Sequence, residues 1–390
     1  MIRVALAPGF ADQAWLGGVS YFRNLLVALQ DCPDRRIEPV IFGGRQASQA
    51  WLAELPPFER IELSSLTRGA ARWIVRTALQ KLTGADPLLE RDLLAHRIDA
   101  LSHAMPLGRR AVLPAIAWIT DFQHRRLPEF FDARERRTRD QQFLEQCEHA
   151  ALIIVSSHAA HRDLQEFRAS AAGKARVLHF VASVPEAGQL PSREALARKY
   201  AIAAPYFFLP NQFWTHKNHA VVIEALAMLK REGRSLTVLA TGNTRDYRQP
   251  AHFPRLQARA AELGLAHEFR PLGVVPYLDL MGLMQHSIAV INPSRFEGWS
   301  TTVEEAKSLG KAVILSDQEV HREQAPAGGA YFDPDDARAL ARLLLEHYAT
   351  RDDAAHAARA EDARRKLRQR RIEFARRYQE IVIECAGRRE

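Results

Sequence analysis

Cysteine is scarce: Cys32, Cys147 and Cys385 are the only three in 390 residues. They are too few and too far apart for a disulfide framework or a zinc knuckle, which points to a reducing compartment. No uninterrupted apolar run approaches the roughly 18 residues that would mark a membrane-spanning helix. The opening MIRVALAPGF has no basic region followed by a long apolar stretch, so it does not read as a secretory leader. A cytoplasmic protein is the expectation. The chain also lacks internal repeats and low-complexity segments. Three chemical signatures are missing as well: no G-x-G-x-x-G follows a strand, no H-E-x-x-H occurs, and Gly310-Lys311 lacks both the upstream glycine and the hydroxyl residue of a phosphate-binding P-loop.

What is present is the composition of a folded protein, 47% hydrophobic and 26% charged. Lys and Arg number 54 against 46 Asp and Glu, leaving a mild net charge of +8. A length of 390 residues suggests two or three domains at about 150 residues each, with two the simpler reading. The spacing of apolar residues predicts strands at Ile2–Ala7, Pro39–Phe42, Ala111–Ile119, Leu152–Val155 and Arg176–Phe180. A loop is expected over Ala11–Gly18 and a helix over Val19–Leu29. A second series of strands is expected at Tyr206–Leu209, Leu236–Thr241, Ile288–Ile291 and Ala312–Leu315, each followed by a helical stretch. Strands alternating with helices imply parallel sheets covered on both faces. The fold class expected is therefore α/β, with two doubly wound, Rossmann-like domains. Their boundaries are placed at 1–182 and 203–365, with a linker over 183–202 and a C-terminal helix, 366–390, packing back on the first domain. Ligands of such sheets bind at the carboxyl ends of the strands, so the two domains are expected to face each other across a cleft that holds the site.

The most informative stretch is Pro293–Leu309, PSRFEGWSTTVEEAKSL, directly after the strand IAVIN. Strand, tight turn and helix start make an anion site, because the unpaired amides of a first helical turn point outward. Glu297 and Glu305, separated by seven residues, would fall in the loop and in the second turn of the helix. A diphosphate held by the amides would leave both carboxylates to accept hydrogen bonds from sugar and ribose hydroxyls. Thr301 with Glu304, and Thr302 with Glu305, also fit a capping box, which would give either glutamate a structural role only.

Glu297 to Glu305 resembles the E-x7-E signature of retaining glycosyltransferases of family 4, which have the GT-B fold. Four further segments follow in the family's order: Gly17-Gly18-Val19 after the first strand, PNQFWTHKNHAVVIEAL (Pro210–Leu226) opening the second domain, Leu272–Pro276 (LGVVP), and Ala330–Asp335 (AYFDPD) after the last strand. The subtype resembles bacterial surface-polysaccharide transferases of the mannosyl or rhamnosyl type, including those of lipopolysaccharide. The resemblance implies that Gly17 and Gly18 let the backbone approach the donor phosphates, that Lys217 neutralises the diphosphate, and that Val275 lines the base pocket. It gives the donor-sugar hydroxyls to Glu297 and the ribose to Glu305, with Gly298, Trp299, Ser300 and Thr301 around the phosphates. Where family members usually carry an arginine five positions before the lysine, this chain has Gln212, so phosphate neutralisation rests more on Lys217 and the helix amides. In the first domain TDFQHRRLPEFF (Thr120–Phe131) resembles an element that commonly reads His-Asp. Thr120 replaces the histidine and Asp121 remains. His124 is an acceptor-side candidate, with a structural histidine the equal alternative. His321, Arg322 and Glu323 are second-rank candidates, and Ser156 and Ser157 read as helix caps. Asp333-Pro334-Asp335 is read as loop chemistry and not as a metal motif, so no metal or other cofactor is expected.

The expected partners are a nucleotide sugar as donor and a glycan or lipid-linked acceptor, without nucleic acid. Arg68, Arg72 and Arg76 recur every four residues in the helical stretch Leu66–Leu82. They make a basic amphipathic face that is either solvated or set against an anionic membrane surface, which would place the protein at the inner face of the cell membrane. Residues 361–390 carry ten Lys and Arg against six Asp and Glu, with Phe374, Tyr378, Ile381 and Val382 at helical spacing; a docked terminal helix is the reading. Two rivals stay open: a GT-B nucleotide-sugar epimerase or hydrolase, and an idle sugar- or lipid-binding protein on the same fold.

Overall fold

The computed structural model describes residues 1–7, 16–45, 55–324, 326 and 328–389. The chain divides into two compact units. One comprises Met1–Arg125, Ala133–Val181 and Arg368–Glu390; the other comprises Arg126–Asp132 and Ala182–Leu367.

In the first unit the strands are β1 (Ile2–Leu6), β2 (Ile37–Gly43), β3 (Glu59–Glu62), β4 (Ala100–Ser102), β5 (Ala115–Ile119), β6 (Leu152–Val155) and β7 (Ala175–Val177). They pair in the order β3-β2-β1-β4-β5-β6-β7, every pairing parallel. The helices are α1 (Leu16–Gln30), α2 (Ala71–Thr83), α3 (Pro87–Ala95), α4 (Gln123–Arg126), α5 (Ala133–His149) and α6 (His158–Phe167). Strands covered by helices on both faces must be apolar on both, and Leu152–Val155 is buried at all four positions. Of the loop expected at Ala11–Gly18, residues 11–15 lie outside the described residues. Gly17 and Gly18 open the first turn of α1 instead of sitting in a loop. Ser157 caps α6, its hydroxyl accepting from the Ala160 amide at 3.0 Å.

The second unit holds β8 (Tyr206–Leu209), β9 (Thr237–Thr241), β10 (Phe269–Gly273), β11 (Val290–Asn292), β12 (Val313–Ser316) and β13 (Gly329–Phe332). Their order is β10-β9-β8-β11-β12-β13, again parallel throughout. Between them run α7 (Arg193–Tyr200), α8 (His219–Arg231), α9 (His252–Glu262), α10 (Tyr277–His286), α11 (Thr301–Leu309), α12 (Glu319–Gln324) and α13 (Ala337–Ala349). Alternate residues of one strand feed two cores. Phe207 and Leu209 of β8 pack with Val222, Leu226 and Leu340 on one face, while Tyr206 and Phe208 pack with Met281, Val303 and Ala306 on the other. Ala330–Phe332, read from the sequence as following the last strand, is itself in the edge strand β13. The stretch 183–202, expected as a linker, contains α7, whose buried Leu196 joins the core with Met281 and Leu283.

The long helix α14 (Asp353–Ala386) closes the chain. From Arg368 onward it belongs to the first unit, where Phe374, Ala375, Tyr378, Ile381, Val382 and Cys385 are buried on one face. Arg176 forks onto Glu384 from its Nε at 2.9 Å, and the Arg36 amide donates to Gln379 Oε1 at 2.5 Å. All three cysteines are free and buried. Among the described residues no helix is long and apolar enough to cross a membrane.

Candidate functional site

The carboxyl ends of β8, β11 and β12 bring together the polar residues that matter most. The strand β11 is apolar until its last position, Asn292, which is fully buried. A buried amide must satisfy all its hydrogen-bonding groups, and Asn292 does so by organising the loops. Its Oδ1 accepts from Ser294 Oγ at 2.6 Å and from Asn211 Nδ2 at 3.2 Å; its Nδ2 donates to Ser300 Oγ at 2.8 Å and lies 3.4 Å from Glu297 Oε1. One strand-terminal residue thus ties the loop after β8, the turn Pro293–Trp299 and the start of α11 into one network.

Glu297 is held in that network against Lys217, with Nζ 2.6 Å from Oε1 and the two side chains 16% and 9% exposed. Burial alone would raise the Glu297 carboxyl. The Lys217 charge, His321 and hydrogen bonds from Lys217 and Ser294 outweigh it and hold the group down to about 2. Lys217 ends a single 3-10 turn, Thr215–Lys217, and the next residue, Asn218, takes a left-handed backbone at φ 56° before α8 begins. Asparagine tolerates that region better than most residues. Its Nδ2 also donates to the carbonyls of Pro293 and Pro334 at 3.2 and 2.8 Å, pinning the lysine turn between two loops. Gly242, after β9, has φ 142°, and a Cβ there would stand 2.5 Å from the Asn211 carbonyl oxygen. Only glycine lets the two loops approach so closely.

The helix α11 starts one residue earlier than the capping-box reading required. Ser300 is the N-cap, accepting from Val303 N at 3.3 Å, so the box position falls on Val303 and neither Glu304 nor Glu305 completes a box. Glu304 is buried against Gln324 at 3.2 Å and Lys307 at 3.2 Å. Glu305 is buried in the second turn. The Ser300 amide is taken by Gln324 Oε1 at 3.2 Å, which removes it from the set of expected phosphate-binding amides. Among the described hydrogen bonds the Thr301 and Thr302 amides have no acceptor. Gln212 and Val275 are half-buried in the loops after β8 and β10, and Gly298 and Trp299 lie half-exposed in the turn before α11.

Two histidines missed by sequence reasoning, or ranked low in it, stand behind the ion pair. His216 is buried and held down to about 3, by burial first and then by the Lys217 charge. His321 is fully buried, its Nδ1 2.8 Å from the Ser316 carbonyl oxygen and its Nε2 without a hydrogen-bond partner. Arg322 beside it is exposed and occupied, forked onto Asp317 at 2.7 and 2.8 Å. Asp333 and Asp335 form a turn in which Asp333 Oδ1 accepts from the Asp335 amide at 2.8 Å and Asp335 pairs with Arg295. This agrees with their reading as loop residues.

The first unit holds the remaining candidates. Asp121 Oδ1 accepts from the Gln123 amide at 2.9 Å at the start of α4. The His124 ring is buried beside Phe122 and Phe143, with Nε2 3.0 Å from Asp140 on α5. Burial lowers its pKa, and the Asp140 contact opposes that. His103, which the sequence did not single out, has φ 56° and both ring nitrogens engaged, by Tyr21 Oη and Ser102 Oγ at 2.8 Å each. The Tyr21 ring stacks on Trp118 with centroids 4.3 Å apart. The polar signals for Asn292, Asn218 and His103 were there to read, since each ends an apolar run or precedes a helix.

Residues 192–367 match the family model described as glycosyl transferases group 1. No curated protein matches the chain by sequence. Among solved structures, Anabaena HepE in complex with UDP is similar at a TM-score of 0.67 and 17% identity, covering 97% of this chain and 99% of that one. A glycosyltransferase from Rickettsia africae aligns at 0.66 and 17% identity over 98% of each chain. WaaG, a glycosyltransferase involved in lipopolysaccharide biosynthesis, aligns at 0.61 and 16% identity over 98% of this chain and 99% of its own. The chain has the α/β GT-B fold.

Proposed function

We propose that the chain is a retaining glycosyltransferase that moves a sugar from a nucleotide diphosphate to a hydroxyl of a glycan or lipid-linked acceptor. The observation that carries this reading is the Lys217–Glu297 pair at the carboxyl end of the second sheet, within a network that also fixes the start of α11. Breaking an anomeric bond leaves an oxocarbenium-like sugar and an anionic diphosphate, so fixed positive groups lower the barrier. Lys217 and the Thr301 and Thr302 amides supply them, in the place a divalent cation takes in metal-dependent transferases. Lys217 is paired with Glu297. A diphosphate competes for the lysine and releases the glutamate to the sugar hydroxyls, so one pair serves both ends of the scissile bond. The acceptor hydroxyl attacks from the leaving-group side, and the departing phosphate takes its proton.

The setting proposed is the building of a bacterial surface polysaccharide, at the cytoplasmic face of the membrane. WaaG, a glycosyltransferase involved in lipopolysaccharide biosynthesis, and WaaB, a lipopolysaccharide outer core galactosyltransferase, support it by analogy. The complexes of HepE with UDP and with UDP-glucose make uridine donors the first to try. The test is a panel of UDP-, GDP- and dTDP-sugars with EDTA present, read as nucleotide release and as the anomeric configuration of the product. Transfer with retention supports the reading. Inversion, isomerisation of the donor, or turnover only after magnesium or manganese is restored would each overturn a named part of it.

A further inference from the structure

At the amino ends of the same strands, the opposite end of the second sheet from Glu297, lies a cavity of about 640 Å³. Its lining is basic. Arg193, Lys311, Arg351 and Arg359 face it, with His286, His347 and His356, against only Asp352 and Asp353. Lys311 sits between the end of α11 and β12 and is 2% exposed. Its Nζ donates to the carbonyls of Gln285, at 3.2 Å, and Ser287, and lies 3.2 Å from His356 Nε2. No carboxylate among the described residues reaches it within ion-pair distance. Asp352 accepts from the Ala354 and Ala355 amides at the start of α14, and Asp353, 87% exposed, stands 3.8 Å from Arg193 at the rim and offsets only part of the positive charge around Lys311.

A buried ammonium surrounded by further cations is unfavourable unless it gives up its proton or an anion joins it. Burial, and then the charges of Arg359 and Arg193, pull Lys311 down to about 7. The space is right for a ligand larger than a bare ion, since small-molecule sites commonly run from about 300 to 1,000 Å³. Leu196 and Ile202 supply apolar wall beside the basic groups. We propose that this cavity binds a small, soluble, phosphate-bearing metabolite, with Lys311 at its floor and Arg193 and Arg359 at its mouth. The phosphate meets the basic groups and the carbon skeleton lies along the apolar wall. Because Lys311 follows α11 directly through Gly310, the occupant would sit at the far end of the helix that carries Ser300 and Glu305. The inference does not depend on the transferase reading.

Calorimetric titration of the full chain with glucose 6-phosphate, inorganic phosphate and glucose tests it, with vesicles containing phosphatidic acid as the lipid-borne arm. Glucose 6-phosphate should bind best, phosphate more weakly, glucose and the vesicles not at all. The exposed pair R193A/R359A should weaken glucose 6-phosphate by about tenfold or more, while K217A, in the candidate donor site, changes it by less than about twofold. Absence of binding at millimolar concentration, equal affinity in R193A/R359A, loss in K217A, or preference for the vesicles would overturn the proposal. Melting temperatures of the variants separate a lost site from a lost fold.

Discussion

At the residue scale the site turns on one mostly buried ion pair. Removing one partner of such a pair strands the other charge, at a cost on the order of 3 kcal/mol. Lys217→Met is therefore expected to lower the melting temperature and to raise the Glu297 carboxyl, because burial is then opposed only by His321 and the Ser294 hydrogen bond. The double variant Lys217→Met/Glu297→Gln should regain most of the stability and none of the activity. A double variant no more stable than Lys217→Met, measured by chemical denaturation, would mean the pair is not coupled. The pair also has a pH signature. A carboxyl lowered to about 2 adds stability that is complete above the ordinary value of 4.5 and is lost as pH falls toward 2. Glu297→Gln should flatten that acid limb. The two glutamates of the E-x7-E spacing should separate kinetically. Glu297→Gln is expected to depress kcat, since sugar contacts tighten as the anomeric carbon gains charge, whereas Glu305→Gln should weaken donor binding with kcat less affected. Equal effects of the two on kcat and KM would remove the division of roles.

At the scale of elements, the loops at the carboxyl ends of the second sheet rely on close backbone approach. Gly242→Ala forces a Cβ toward the Asn211 carbonyl at a backbone angle alanine avoids. A loss on the order of 2–3 kcal/mol is expected, together with weaker donor binding as the Asn211–Gln212 loop shifts; wild-type melting and affinity would show that the loops adjust freely. The helix α2 departs from the sequence reading in a useful way. It covers Ala71–Thr83, so Arg68 lies outside it, and Arg72 and Arg76 are paired to Asp92 and Asp86 instead of presenting a free basic face. None of its residues is buried, and Ile74, Val75 and Leu82 are 54, 52 and 83% exposed. If this helix touches lipid, the apolar side chains carry the contact. Ile74→Ser/Val75→Ser/Leu82→Ser should then reduce vesicle co-sedimentation more than Arg68→Ser does, and equal sedimentation of both variants and wild type would dismiss the contact.

Legibility followed the length of the apolar run. Strands β6 and β8, continuous apolar runs, were read to the residue. The strand β3, Glu-Arg-Ile-Glu at an edge, and β4, three residues long, offered too little apolar signal to find. Glu297, Glu305 and Lys217 were legible because their spacing resembles a family pattern. Asn292 was overlooked although it ends an apolar run, and Gln324 was not legible, because a polar residue that satisfies loops through space leaves no periodic trace.

At the scale of the molecule, the C-terminal helix and the basic cavity have consequences beyond the site. Truncation before Arg368 removes Phe374, Tyr378, Ile381 and Val382 from the first unit's core. Burying such side chains is worth about 1.5–3 kcal/mol each, so the truncated chain should lose the cooperative unfolding of that unit; an unchanged unfolding profile would show the helix to be dispensable. Lys311, lowered from 10.5 to about 7, binds its proton less well folded than unfolded. Stability should therefore rise with pH between about 7 and 10.5, by up to about 1.4 kcal/mol per unit, and Lys311→Met should abolish that rise. A wild-type profile flat over that window would mean Lys311 keeps its ordinary affinity for protons. Whether Lys217 receives the diphosphate of a nucleotide donor at the carboxyl end of the second sheet is read by calorimetry with the nucleoside diphosphate of the accepted donor. Wild type should bind it, and Lys217→Met should bind it about tenfold or more weakly, with K311M close to wild type; equal affinity in wild type and Lys217→Met would contradict that role for Lys217.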